Sequence, residues 1–240
     1  MKALILAAGK GERLVSGKSY PKPLAPVAGT ALIVRVIHTL AHGGVTEVGV
    51  IHGYLGQVLV DALEGARLPV SLRFFRNDEY DKPNGTSLLK ARAFVDGPTF
   101  LLMSDHLFAP ALLDRVAAFE LASDEAVLGI DFDIPRCFDL PDATKVAVDG
   151  DRVARISKDL DRYDALDTGV FRITPALVRE LDLVDGPAGC SLSQGVGALA
   201  RAGKMRVANV GDARWIDVDT PEAHAEAERL LALHGDTLDG

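Results

Sequence analysis

Short aliphatic runs alternate with amphipathic stretches through the first half of this chain, and that alternation constrains its fold more than any other feature. Lys2–Ala7 is an aliphatic run that reads as a buried first strand. Thr30–Ala41 places Leu32, Ile33, Val36, Ile37 and Leu40 at helical spacing and stops at Gly43-Gly44. Strands at Glu47–Ile51, Val70–Phe75, Thr99–Ser104 and Ala126–Asp131 then alternate with helices at Leu55–Leu63, Ser87–Val95 and Ala109–Leu121. Such a series predicts an α/β fold of Rossmann-like, three-layer type: a central mixed, mainly parallel sheet with helices on both faces.

The rhythm changes after Asp131. Thr144–Val148 and Arg152–Ser157 read as a hairpin about Asp149-Gly150. Strands follow at Thr168–Ile173, Met205–Val210 and Arg214–Val218, with helices at Pro175–Leu181, Ser191–Ala202 and Thr220–Leu233. Pro110 and Pro221 suit first helical turns, and Ser191 and Thr220 suit caps. No repeat or linker interrupts the pattern. Residues 1–234 are therefore expected to form one domain, with 235–240 a frayed tail.

Charge and cysteine content narrow the function. A net charge of −8 makes a general binder of nucleic acid or anionic membranes a poor expectation. No apolar run approaches the ~20 residues of a membrane helix, and Ala3–Ala8 is too short for a signal peptide. Cys137 and Cys190 are the only cysteines, too few for a disulfide framework, and are expected as buried thiols in a reducing cytoplasm.

The first strand runs into Ala8-Gly9-Lys10-Gly11-Glu12-Arg13-Leu14. Glycines after a buried strand let backbone N–H groups approach a phosphate. A dinucleotide fingerprint fails because Leu14 replaces the third glycine; a P-loop before Gly17-Lys18-Ser19 fails because Glu12 stands where glycine is needed. A lone Gly-x-Gly is ordinarily just a tight turn. Here Tyr20-Pro21-Lys22-Pro23 follows, and a lysine between prolines sits on a stiff backbone. Arg13 and Lys22 thus present fixed positive charge, whereas Lys10 and Lys18 read as solvated loop residues.

Together, LAAGKGERL and PKPLAPVAGTALI resemble the signature of the sugar-1-phosphate nucleotidyltransferases, with a longer loop between Leu14 and Pro21. Members of that family join an NTP to a phosphorylated sugar or polyol and release pyrophosphate. The resemblance implies the nucleotidyltransferase version of the fold, with Arg13 and Lys22 catalytic and Ala7, Ala8, Gly9 and Gly11 around the nucleotide. Asn84-Gly85-Thr86-Ser87 resembles the segment beside the nucleobase and implicates Asn84, Gly85 and Ser87. On local chemistry alone, Thr86 or Ser87 reads as a helix cap.

Leu101–Asp105 ends an aliphatic strand in an acid, where open α/β sheets bind ligands. Trp215-Ile216-Asp217-Val218-Asp219 ends another strand with alternating acids. By resemblance, Asp105 and Asp217 are the pair that holds Mg²⁺. Asp219 reads as a cap or supporting group, and His106 as a hydrogen-bond partner of Asp105. His38, His42, His52, His224 and His234 lack metal-ligand spacing, and Asp131-x-Asp133 reads as a turn after a strand.

Lys145, Lys158 and Asp167 fall in the acceptor half. Lys158 could neutralise an acceptor phosphate, and Asp167 could accept from acceptor hydroxyls. The order of these motifs resembles most the branch that makes CDP-inositol from CTP and inositol 1-phosphate. That implies a cytoplasmic, Mg²⁺-dependent cytidylyltransferase supplying a phospholipid precursor, with a separate membrane-bound phosphotransferase downstream. Other expectations are a hexose 1-phosphate or phosphocholine acceptor with UTP, dTTP or CTP; a nucleotide-sugar-consuming glycosyltransferase; and, from another class, a non-catalytic nucleotide-binding module.

Overall fold

The computed structural model describes residues 1–15, 17 and 19–239; Lys18 lies outside the described residues. The chain runs β1 (Lys2–Ala7), α1 (Glu12–Val15), β2 (Pro26–Val27), β3 (Thr30–Ala31), α2 (Leu32–His42), β4 (Glu47–His52), α3 (Gly56–Gly65) and β5 (Ser71–Arg76). Next come α4 (Asn84–Lys90), β6 (Thr99–Met103), β7 (His106–Phe108), α5 (Pro110–Ala117) and β8 (Ala126–Asp131). The remainder is β9 (Lys145–Asp149), β10 (Arg152–Ser157), β11 (Ala165–Ile173), α6 (Pro175–Val184), α7 (Leu192–Arg201), β12 (Met205–Asn209), β13 (Trp215–Asp217) and α8 (Pro221–His234).

A nine-stranded sheet has the order β5-β4-β1-β6-β11-β8-β12-β10-β9. Strands β5, β4, β1 and β6 pair in parallel, as do β8 and β12. Strand β11 runs antiparallel to both β6 and β8. The sheet is therefore mixed and mainly parallel, as the alternation predicts. The hairpin about Gly150 forms as β9–β10, with Gly150 at φ +59°.

Period-two alternation buries both faces of β1. Ala3, Ile5 and Ala7 join one core cluster, under α2 and α5; Leu4, Leu6 and Ala8 join the other, under α6 and α7. Fully burying a leucine such as Leu4 contributes about 1.5–3 kcal/mol. Ser191 closes a capping box with Gln194, and Thr220 accepts from Ala223 N. Beyond α8, Leu238 is 2% exposed, and its carbonyl accepts from Arg214.

Two local expectations need correction. The helix expected from Ser87 begins at Asn84, so Thr86 and Ser87 lie inside α4 and cap nothing. Tertiary contact overrides turn propensity there: Asn84 Oδ1 accepts from Leu192 N, and a Cβ on Gly85 would stand 2.7 Å from the Cys190 carbonyl. Strand β7 is too short to announce itself, yet it pairs with β13 as a separate two-stranded sheet. Cys190 is buried, whereas Cys137 is only partly so.

Candidate active site

The carboxyl ends of β1 and β6 and the start of antiparallel β11 meet at one edge of the large sheet. Asp105 occupies the turn between β6 and β7. Pairing of β7 with β13 sets Asp217 opposite His106, and Val218 N donates to the Asp105 carbonyl at 3.0 Å. Acids more than a hundred residues apart thereby converge: ligand atoms of Asp105, His106 and Asp217 all lie within 4.8 Å of one another.

A chain of alternating charges surrounds this pair. Lys22, only 5% exposed, pairs with Asp105 Oδ2 at 2.7 Å and with Asp219. Arg13 bridges Asp219 and Asp142, the latter at 2.9 Å, and Lys158 pairs with Asp142 at 2.6 Å. Gly11 makes room for Lys22: its φ is +63°, and a Cβ there would fall 2.3 Å from Lys22 Cβ.

Burial and like charge explain the titration of the acids. Burial pushes Asp217 up to about 6, against the His106 charge and with help from Asp105 and Asp142. Burial opposes an imidazolium at His106, but Asp217 and Asp105 outweigh it and raise the ring to about 9. Asp142 is held below the ordinary carboxylate range; burial opposes this, and hydrogen bonds from Lys158 and Arg13 win. Asp217 Oδ1 is buried with no hydrogen-bond partner. A hard divalent cation fits an orphaned carboxylate oxygen beside a second acid.

A cavity of about 200 Å³ opens beside the acids, walled by Asn84, Asp139, Asp142, Lys158, Asp167 and Trp215 among others. Burial raises Asp167 to about 6, opposed by the Gly169 N–H that it accepts at 2.7 Å. Gly169, at φ +75°, leaves space for the His106 ring, 2.4 Å from where its Cβ would stand.

Not every expected residue reaches this space. Lys145 donates to the Lys158 carbonyl at 2.6 Å and lies over the Tyr163 ring. Ser87 is buried and accepts from Asn77 Nδ2, so with Gly85 it packs α4 against its surroundings. Ala7 and Ala8 are buried beneath the exposed Gly9. Lys10 pairs with Asp81 on the surface. Asp142 joins the charge cluster with no role expected of it from sequence, while Asp219 takes the supporting one of its two expected roles, beside Lys22 and Arg13. Thr220, not Asp219, caps α8.

A glycine turn beside fixed cations, two convergent acids and an adjoining cavity on a mixed α/β sheet define a nucleotidyltransferase. Residues 3–135 match the MobA-like NTP transferase domain model, and the chain belongs to that family. It is 36% identical over 231 residues to the bifunctional IPC transferase and DIPP synthase of Rubrobacter xylanophilus, covering 95% of this chain and 51% of that protein. Against the CMP-5'-(3-aminopropyl)phosphonate synthase of Streptomyces rubellomurinus it is 31% identical, covering 95% and 38%. The chain spans about half the length or less of these curated relatives. Among solved structures it matches the inositol-1-phosphate CTP transferase from T. maritima at TM-score 0.82 and 26% identity, covering 99% of this chain and 95% of that one. Among the described residues no helix is long and apolar enough to cross a membrane.

Proposed function

We propose that the chain transfers the cytidylyl group of CTP to inositol 1-phosphate, giving CDP-inositol and pyrophosphate. A phosphate oxygen of the acceptor attacks the α-phosphorus, and the bond to the β-phosphate oxygen breaks. Phosphate is a competent nucleophile at neutral pH, so the chain need supply no general base. Its task is to align anions that repel one another and to offset their charge.

Asp105 and Asp217 hold Mg²⁺ in this reading; the bound ion offsets phosphate charge at the reacting centre. The orphaned Asp217 Oδ1 beside Asp105 is the observation that carries the assignment. Gly9 and Gly11 lie along the triphosphate, and Arg13 and Lys22 neutralise it and the departing pyrophosphate. Across the cavity, Lys158 meets the acceptor phosphate and Asp167 accepts from acceptor hydroxyls. Asn84 lines the same cavity, whereas Lys145, Gly85 and Ser87 support the backbone of the binding segments. Residues 1–234 act as one domain.

A panel of CTP, UTP and dTTP against inositol 1-phosphate, glucose 1-phosphate, phosphocholine and 3-aminopropylphosphonate, followed by pyrophosphate release with Mg²⁺, tests this. Release with CTP and inositol 1-phosphate well above every other pair is expected. Preference for another acceptor reassigns the cavity. Nucleotide binding without pyrophosphate from any pair refutes catalysis and favours a silent nucleotide-binding module.

A further inference from the structure

Asp131 does not line the cavity, yet the strand that carries Asp217 and the segment that leads into the cavity wall meet at its side chain. It is the last residue of β8 in the large sheet and is 2% exposed. Its Oδ1 accepts from Asp133 N at 2.9 Å, the turn expected from sequence. Its Oδ2 accepts from Trp215 Nε1 at 2.8 Å and from Arg136 Nη2 at 2.7 Å. Arg136 also donates to the Gly211 and Ala213 carbonyls, at 3.1 Å each, on the approach to β13.

The consequences run toward the chemistry. Trp215 opens β13 two residues before Asp217, and its ring lies parallel to His106 within 5°, centroids 6.3 Å apart. His106 Nδ1 contacts Asp105 Oδ1 at 2.9 Å. Arg136 ends the 3₁₀ turn Ile134–Arg136, and Cys137, Phe138 and Asp139 after it form cavity wall. Strand β13 pairs with β7 and not with the large sheet; buried Ile216 and Val218 seat it in the core, and the Trp215–Asp131 bond ties its first residue to β8. A buried ion pair adds little net stability over an apolar packing of the same volume; fixing one arrangement is its better-attested use.

We propose that Asp131 is a positioning residue for the transfer reaction: through Trp215 and Arg136 it holds Asp217 and the acceptor wall in place against the large sheet. The inference rests on the reading of Asp105 and Asp217 as metal ligands. Trp215→Phe keeps an aromatic ring and removes the N–H donor, and Asp131→Asn keeps the size and removes the carboxylate. Each variant is compared with the unsubstituted protein for Mn²⁺ binding without nucleotide, for kcat and KM, and for Tm.

Trp215→Phe is expected to keep Tm within a few degrees, whereas Asp131→Asn, which leaves Arg136 without its carboxylate, lowers Tm further; both are expected to lose about tenfold or more in Mn²⁺ affinity and in kcat. The KM for NTP should change less than kcat, since Arg13 and Lys22 stand on other segments and touch this one only through their pairs with Asp105 and Asp219. Trp215→Phe should add little to Asp131→Asn, because the Trp215–Asp131 bond that it removes is already lost with the carboxylate, along with the Arg136 pair. Should Asp131→Asn fail to fold, Trp215→Phe decides alone. Wild-type Mn²⁺ affinity and kcat in Trp215→Phe, whatever its Tm, overturn the inference. Absence of Mn²⁺ binding by the unsubstituted protein overturns the metal pair itself, and this inference with it.

Discussion

Asp167 offers a prediction in which stability and function move in opposite directions. Burial raises its carboxyl from 3.8 to about 6. Between roughly pH 4 and 6 the folded protein therefore keeps a proton that the unfolded chain has released. Stability contributed by this group is fully present below about pH 4 and is lost as pH rises through about 6. A shift of about two units corresponds to about 3 kcal/mol; sharing of charge with His106 brings the expected effect to about 1–3 kcal/mol. Asp167→Asn removes the titration, and its amide oxygen still accepts from Gly169 N. At pH 8 the variant should be more stable than wild type by that amount, raising Tm by about 2–4 °C per kcal/mol. At pH 4 the two should coincide. Urea unfolding from pH 4 to 8 measures the difference directly. Acceptor KM should rise in the same variant, because the charged partner of the acceptor hydroxyls is gone. A variant less stable than wild type at pH 8, or a difference that ignores pH, would refute the reasoning.

Two further perturbations follow from the same geometry. Lys158→Ala should raise the acceptor KM by about 10–150-fold, the equivalent of a 1.5–3 kcal/mol charged hydrogen bond, while the NTP KM stays within about twofold. Its exposed pair with Asp142 adds at most about 1 kcal/mol, so Tm should barely move; a larger rise in NTP KM would reassign Lys158. Gly169→Ala forces a left-handed alanine, costing about 1–2 kcal/mol, and drives its methyl into His106. Steady-state kinetics and thermal unfolding should show kcat and Tm falling together; unchanged kcat would separate His106 from catalysis.

Much of the fold was legible because β1, β4, β6 and β8 are aliphatic runs whose period-two pattern admits burial on both faces. Convergence of Asp105 with Asp217 was expected through the family resemblance; locally, each acid only stands at or just past a strand end, where ligands collect. What escaped was long-range. Asp142 gives no local sign that it will sit between Arg13 and Lys158. Asp131 looks like an ordinary Asx turn, and Oδ1 does make that turn; the bonds of Oδ2 to Trp215 and Arg136 depend on chain crossings that periodicity does not encode. Lys145 shows the converse, a lysine in a suggestive motif whose ammonium is consumed by a neighbouring carbonyl.

Pyrophosphate release from CTP and inositol 1-phosphate with Mg²⁺, measured for wild type, Asp105→Ala and Asp217→Ala, tests the central claim most directly. Losing one ligand to the ion removes several kcal/mol of transition-state stabilisation, so each substitution should lower turnover by more than about 100-fold while the protein remains folded. Near-wild-type turnover in both variants would contradict it.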